Sequence, residues 1–220
     1  MFLPWIGLEV AFVCAMYTYT FSTLTSEHFL LELLMIHAAY GLDRLADFHD
    51  GTSNEEITSF IAKHQKSVEA TITASTILSL MALPLPEAIC FLGASIHYRD
   101  IKKLIPGIKP FFVAGCLTWV SLLHAEGNPM PMILNMFAAS NYQDILSVEE
   151  DSSTGVQSLP VVFGKPVASG FTTLATVGAA AFASGIHPMT PPLALFQLQN
   201  AGFGIRSVIK PGMTRPTLSL

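Results

Sequence analysis

Charge is what this chain has least of: Lys, Arg, Asp and Glu make up 12% of its 220 residues, against 51% hydrophobic. A soluble domain of this length carries more charge on its surface, so that class is set aside. No Lys or Arg precedes Arg44, and neither a basic signal-peptide leader nor an Arg-rich transit segment is expected. Cysteine is scarce too: Cys14, Cys90 and Cys116 stand singly in apolar segments, without CxxC or zinc-type His/Cys spacing. All three read as small core residues rather than disulfides or ligands. Nucleotide-binding glycine loops and nucleophile elbows are absent. The 11 basic residues are too few and too spread for a nucleic-acid surface.

What is present is a series of apolar runs reaching nearly from end to end, with a mean hydropathy of +0.51. The runs are continuous instead of alternating with a period of two, which excludes a β-barrel. The expected fold is therefore all-α: a single polytopic transmembrane bundle over 1–220 in a lipid bilayer. Eight helices are expected near 4–24, 28–47, 68–83, 86–98, 109–124, 130–148, 167–186 and 190–207. Pro84 and Pro86 split what would be one long segment at 68–98, because proline removes a helical hydrogen bond and restricts its predecessor.

With eight helices, the connections after the second, fourth and sixth fall on one side together with the C-terminal tail. Every Lys and Arg lands on that side or on the helix ends beside it, whereas the short turns near Glu27, Glu87, Glu126 and His187 contain none. By the positive-inside rule this side faces the cytoplasm or its organellar equivalent. All six aspartates share it.

Two acidic clusters stand out against this background: Asp43, Asp47 and Asp50 in YGLDRLADFHDG, and Asp144, Glu149, Glu150 and Asp151 in NYQDILSVEEDSSTG. A carboxylate at the bilayer centre costs about 2.5 to 3.5 kcal/mol on insertion scales, so such groups need a cation. Asp43, Asp47 and Asp50 lie within about 60° of one another around a helix, and like charges so placed repel. In the second cluster Asp144 and Asp151 share a face with Ser147 between them, and Glu149 and Glu150 point elsewhere if the helix continues. Facing carboxylates suit Mg²⁺, which takes one or two of them and keeps water or phosphate oxygens. The connection YRDIKKLIPGIK adds Arg99, Lys102, Lys103 and Lys109 on the same side, placed to hold a departing diphosphate.

At these residues the chain resembles the UbiA superfamily of intramembrane prenyltransferases. DRLAD at 43–47 and DILSVEEDSSTGVQSLPVVFG at 144–164 resemble that family's two Asp-rich motifs. IKKLIPGIKPFFVAG at 101–115 resembles its basic loop and the start of its fifth helix. The resemblance implies Mg²⁺-dependent transfer of a prenyl group from a prenyl diphosphate to an aromatic or other lipophilic acceptor. It implies that Asp43, Asp47, Asp144 and Asp151 are catalytic and, with Asp50, hold metal, and that Tyr40, Arg44, Lys102, Lys103, Lys109 and Ser147 bind substrate. Ala39 stands where many members have Asn, and Ser147 where many have a central Asp; about two further helices follow the second motif in place of three. A weak or inactive scaffold of the same fold is therefore a second expectation. An ion transporter is a third, because intramembrane carboxylates also serve ion pathways.

The remaining marked residues have ordinary readings. His37 and His124 read as hydrogen-bonded core histidines. Glu9 and Glu32, acids inside apolar helices, are expected near polar helix contacts or protonated, with acceptor contact as the alternative. The loop 48–67, with Lys63 and Lys66, reads as solvated surface or a short capping helix. Met130, Met132, Met136, Phe111, Phe112 and Phe137 are expected in the core or against lipid, more than in an isoprenoid groove.

Overall fold

The computed structural model describes residues 26–53, 55–123 and 128–182. The helices expected at 4–24 and 190–207, with Glu9, Cys14 and His124, lie outside them. All regular structure among the described residues is helical. In chain order the helices are α1 (Ser26–His49), α2 (Glu55–Ala82), α3 (Leu85–Leu104), α4 (Lys109–Leu122), α5 (Pro129–Leu146), α6 (Val148–Ser153), α7 (Leu159–Phe163) and α8 (Lys165–Phe182).

The boundaries follow local chemistry. α1 stops where the Thr52 and Ser53 amides both donate to the Asp47 carbonyl, and the Thr52 hydroxyl donates to the same oxygen. Pro84 caps α3 and Pro86 sits in its first turn, where the missing N–H has no partner to lose. The Asn128 side chain accepts from the Met130 amide at 3.0 Å to start α5.

Two boundaries differ from expectation. α2 begins at Glu55, so most of the expected 48–67 loop is helix; a non-helical His64 kinks it, and Lys63 and Lys66 are exposed. α3 continues to Leu104, so Arg99, Lys102 and Lys103 ride on a helix instead of a connecting loop. Lys102 and Lys103 fall in its last turn, where the helix dipole favours positive charge.

α5 packs against α4 on one side and α8 on the other, while α1 packs against α2 and α3. At the α1–α2 contact, a Cβ on Gly41 would meet Ile72 Cγ1 at 2.6 Å, so only glycine permits this approach. Met35, Ile36, Phe91, Leu117 and Met136 form the centre of the core. Polar groups share this interior. Asn141 Nδ2 donates to the Ala168 carbonyl at 2.7 Å and to Thr172 Oγ1 at 2.9 Å, tying α5 to α8. His37 Nδ1 lies 3.0 Å from Ser75 Oγ, as a hydrogen-bonded core histidine should.

Large apolar side chains face outward in turn: Leu30, Met81, Leu85, Ile89, Leu104 and Leu174 are all exposed. Cys90 is exposed as well, against the expectation of a core residue. Met132, Met136 and Phe137 are buried, whereas Met130 and Phe111 are exposed. Among the described residues no helix is long and apolar enough to cross a membrane, in contrast to the expected series of spanning helices. The reason is visible in α8, where Ser169, Thr172 and Thr176 turn inward and Lys165 opens the helix. Inward hydroxyls and charged ends lower the mean hydropathy of helices whose outer faces are apolar.

Candidate active site

The C-terminal ends of α1, α3 and α5 and the N-terminal end of α4 meet at one end of the bundle through ion pairs. Lys102 Nζ donates to Asp43 Oδ1 at 2.9 Å and lies 3.9 Å from Asp47 Oδ2. Arg99 reaches Asp47 at 3.4 Å and pairs with Asp50. The stripe of three aspartates on α1 is thus matched by two cations one turn apart on α3. Asp50 is the most exposed of the three. Lys102 is itself only 6% exposed, and a buried ammonium requires such pairing.

The second cluster closes around Lys109, the first residue of α4. Its Nζ lies 2.8 Å from Asp144 Oδ1 and donates to Asp151 at 3.0 Å. A loop contact sets this geometry. The Gly107 amide donates to the Gln157 carbonyl at 2.6 Å, holding the α3–α4 turn against the segment between α6 and α7. Gly107 has φ +73°, and a Cβ there would meet Leu159 Cδ2 at 3.2 Å, so glycine suits the position on both counts.

The helix carrying Asp144 breaks at Ser147, and α6 restarts at Val148. Asp144 and Asp151 nonetheless converge on one ammonium. The Ser147 hydroxyl turns back to donate to the Gln143 carbonyl at 3.0 Å. Glu149 is exposed, and Glu150 accepts Thr154 and Ser153 hydroxyls through its carbonyl. Lys103, next to the buried Lys102, is exposed.

Tyr98 joins the two clusters. Its ring lies under Lys102 Nζ at 5.0 Å, and its hydroxyl is within electrostatic reach of Asp43, Asp144, Tyr40 and Arg44. Lys102, bonded to Asp43, also acts on Asp144. Tyr98 stacks on Phe112 with ring centroids 5.7 Å apart. Sequence reasoning passed over Tyr98 because it ended the helix there; extending α3 by one turn puts Tyr98 and Lys102 on one face at i, i+4.

Below this charged end lies a cavity of about 70 Å³ walled by α1, α3 and α4 and partly open outward. Asp43, Tyr40 and Tyr98 line its charged end. Ile36, Phe91, Phe112, Cys116 and Leu117 are among its apolar walls, and Met35, Trp119 and Val120 line its deep end. Phe112 and Cys116, read from sequence as core or lipid contacts, face this space.

Among the described residues no three His, Cys, Asp or Glu side chains converge as a ready cage for a metal ion. The donor chemistry nevertheless fits Mg²⁺, which needs only one or two carboxylates when phosphate oxygens complete its shell. One atom bears on that fit: Asp144 Oδ2 is buried with no hydrogen-bond partner in a residue 1% exposed, while Oδ1 already faces Lys109. A buried carboxylate oxygen without a proton donor is a costly arrangement that a cation resolves. No protein-family model, curated protein or solved structure matches this chain.

Proposed function

We propose that this chain is a membrane-embedded prenyltransferase of UbiA type, moving a prenyl group from a prenyl diphosphate to a lipophilic acceptor, aromatic in the first instance. The observation that carries the reading is continuity: an apolar cavity opens at Asp43 onto the end where both acidic clusters and three cations meet. An amphiphile with a polyanionic head and a hydrocarbon tail matches that division. The outward apolar faces of α2, α3 and α8 support a lipid surround, because surfaces this apolar are rare on monomeric soluble proteins.

Asp43, Asp47, Asp144 and Asp151 are the residues that would hold Mg²⁺, with Asp50 at the rim. When bound, Mg²⁺ supplies positive charge against the diphosphate oxygens. Lys102, Arg99 and Lys109 exchange their carboxylate partners for diphosphate oxygens and stabilise the negative charge that grows on the leaving group. The allylic carbon–oxygen bond breaks with its electron pair leaving on diphosphate. The acceptor's nucleophilic carbon bonds to the allylic cation and then loses its proton. The cavity walls keep water from that cation, and the faces of Tyr98 and Phe112 lie where the chain leaves the charged end.

The test is prenyl transfer in membranes with radiolabelled prenyl diphosphates and a mixed acceptor extract, with and without Mg²⁺. Asp43→Ala and Asp144→Ala each abolish turnover on this reading, and unchanged turnover in either refutes it. A second reading, a noncatalytic module of the same fold, is favoured by one observation. The acids are already neutralised by the chain's own Lys102, Arg99 and Lys109, and the Ser147 hydroxyl is spent on the backbone. Mg²⁺-dependent product from purified protein excludes it.

A further inference from the structure

The cavity has a measurable depth. On α1 its lining runs from Asp43 to Met35, a rise of about 12 Å at 1.5 Å per residue. On α4 it runs from Phe112 to Val120, the same distance in the opposite chain direction. One turn beyond Met35 and Ile36, on the face of α1 that carries Asp43, comes Glu32. Its Oε1 accepts the Ser121 hydroxyl at 2.7 Å, and both residues are 1% exposed. Ser121 directly follows Val120. Neither residue lines the cavity, but just beyond its deep end this buried pair joins α1 to α4, and the two helices cannot part there without breaking it.

We infer that the Glu32–Ser121 pair is the length stop of the prenyl site and that the preferred donor carries two or three isoprene units. This rests on the proposed function, which places the diphosphate at the Asp43 end. An extended isoprene unit spans about 5 Å, four carbon–carbon bonds of ~1.5 Å in zigzag. The depth below Asp43 thus holds between two and three units. A fourth unit has to pass Met35 and Val120 and drive hydrocarbon into the hydrogen-bonded pair behind them. In a bilayer the tail leaves lipid, not water, so discrimination comes from this steric and polar end and not from added hydrophobic gain.

Trp119, at the deep end of the cavity, reports on the tail directly. The full chain with Trp5→Phe has it as its sole tryptophan. In lipid nanodiscs with Mg²⁺, non-hydrolysable prenyl thiolodiphosphates of two, three and four units are titrated against its emission. The two- and three-unit analogues bind within about threefold of each other, and the four-unit analogue at least about tenfold more weakly, the scale of overpacking a filled interior. Glu32→Ala brings the four-unit analogue to within about threefold of the three-unit one, whereas the near-isosteric Glu32→Gln keeps the discrimination. Equal binding of three and four units to the unaltered site overturns the length stop and leaves the prenyltransferase reading standing; the same holds if a folded Glu32→Ala keeps the limit. Should Glu32→Ala not fold, the length series on the parent protein decides alone. No emission change with any analogue, together with no Mg²⁺-dependent transfer, overturns the reading on which the inference rests.

Discussion

Lys109 sits between two buried carboxylates, and replacing it by Met tests the account of the second cluster. The side chain is 16% exposed, and its partners Asp144 and Asp151 are 2% and 9% exposed. Lys109→Met keeps most of the stem's volume while leaving two buried carboxylates facing one another. Removing one partner of a buried ion pair destabilises by about 3 to 5 kcal/mol, and here one cation serves two anions, so the upper end is expected. Chemical unfolding in detergent without divalent ions reads this difference. The Lys109→Met/Asp144→Asn double variant recovers part of the loss, with a coupling of about 1 to 3 kcal/mol, because the more buried orphan charge is gone. Millimolar Mg²⁺ stabilises Lys109→Met more than the parent, since the vacated carboxylates become available to it. A Lys109→Met loss below about 0.5 kcal/mol, or strict additivity in the double variant, refutes the role assigned to this ammonium.

Other outcomes follow from the same geometry. Magnesium with inorganic diphosphate raises the parent's unfolding free energy by about 2.7 kcal/mol at a hundred times its dissociation constant, and Asp43→Ala or Asp144→Ala removes that gain. Tyr98→Phe retains the ring under Lys102 and stays near parent affinity for diphosphate, whereas Tyr98→Ala weakens it roughly 2- to 30-fold, as measured by calorimetry. Gly41→Ala destabilises by about 1 to 3 kcal/mol in the same unfolding assay, because its methyl meets Ile72, and by less when Ile72 is already Ala.

The breaks in the chain were legible because their causes are local. Pro84 and Pro86 separate α2 from α3, and Asn128 with Pro129 starts α5, within about two residues of the boundaries expected from composition. The acid stripe at Asp43, Asp47 and Asp50 was equally legible, since helical periodicity alone puts those residues on one face. The extents of α2, where a short helix was one of two readings, and of α3, expected to stop at residue 98, turned on polar stretches that look like loops in isolation. FIAKHQKS, kinked at His64, and YRDIKK are carried in helices because an apolar residue at the head of each is anchored: Ile61 is fully buried, and Tyr98 packs against the core.

The sequence by itself determined that the described residues are helical, with the two aspartate clusters and their cations at matching helix ends, because periodicity, proline and charge placement act over a few residues. Only the tertiary structure decided which cation meets which acid, because Lys102 on Asp43 and Lys109 between Asp144 and Asp151 join positions some 35 to 60 residues apart. It alone set Ser147 aside, by ending α5 beneath it and turning its hydroxyl to Gln143. The cavity and the Glu32–Ser121 pair beyond its deep end belong to the same class of fact: volume between helices depends on how three of them cross.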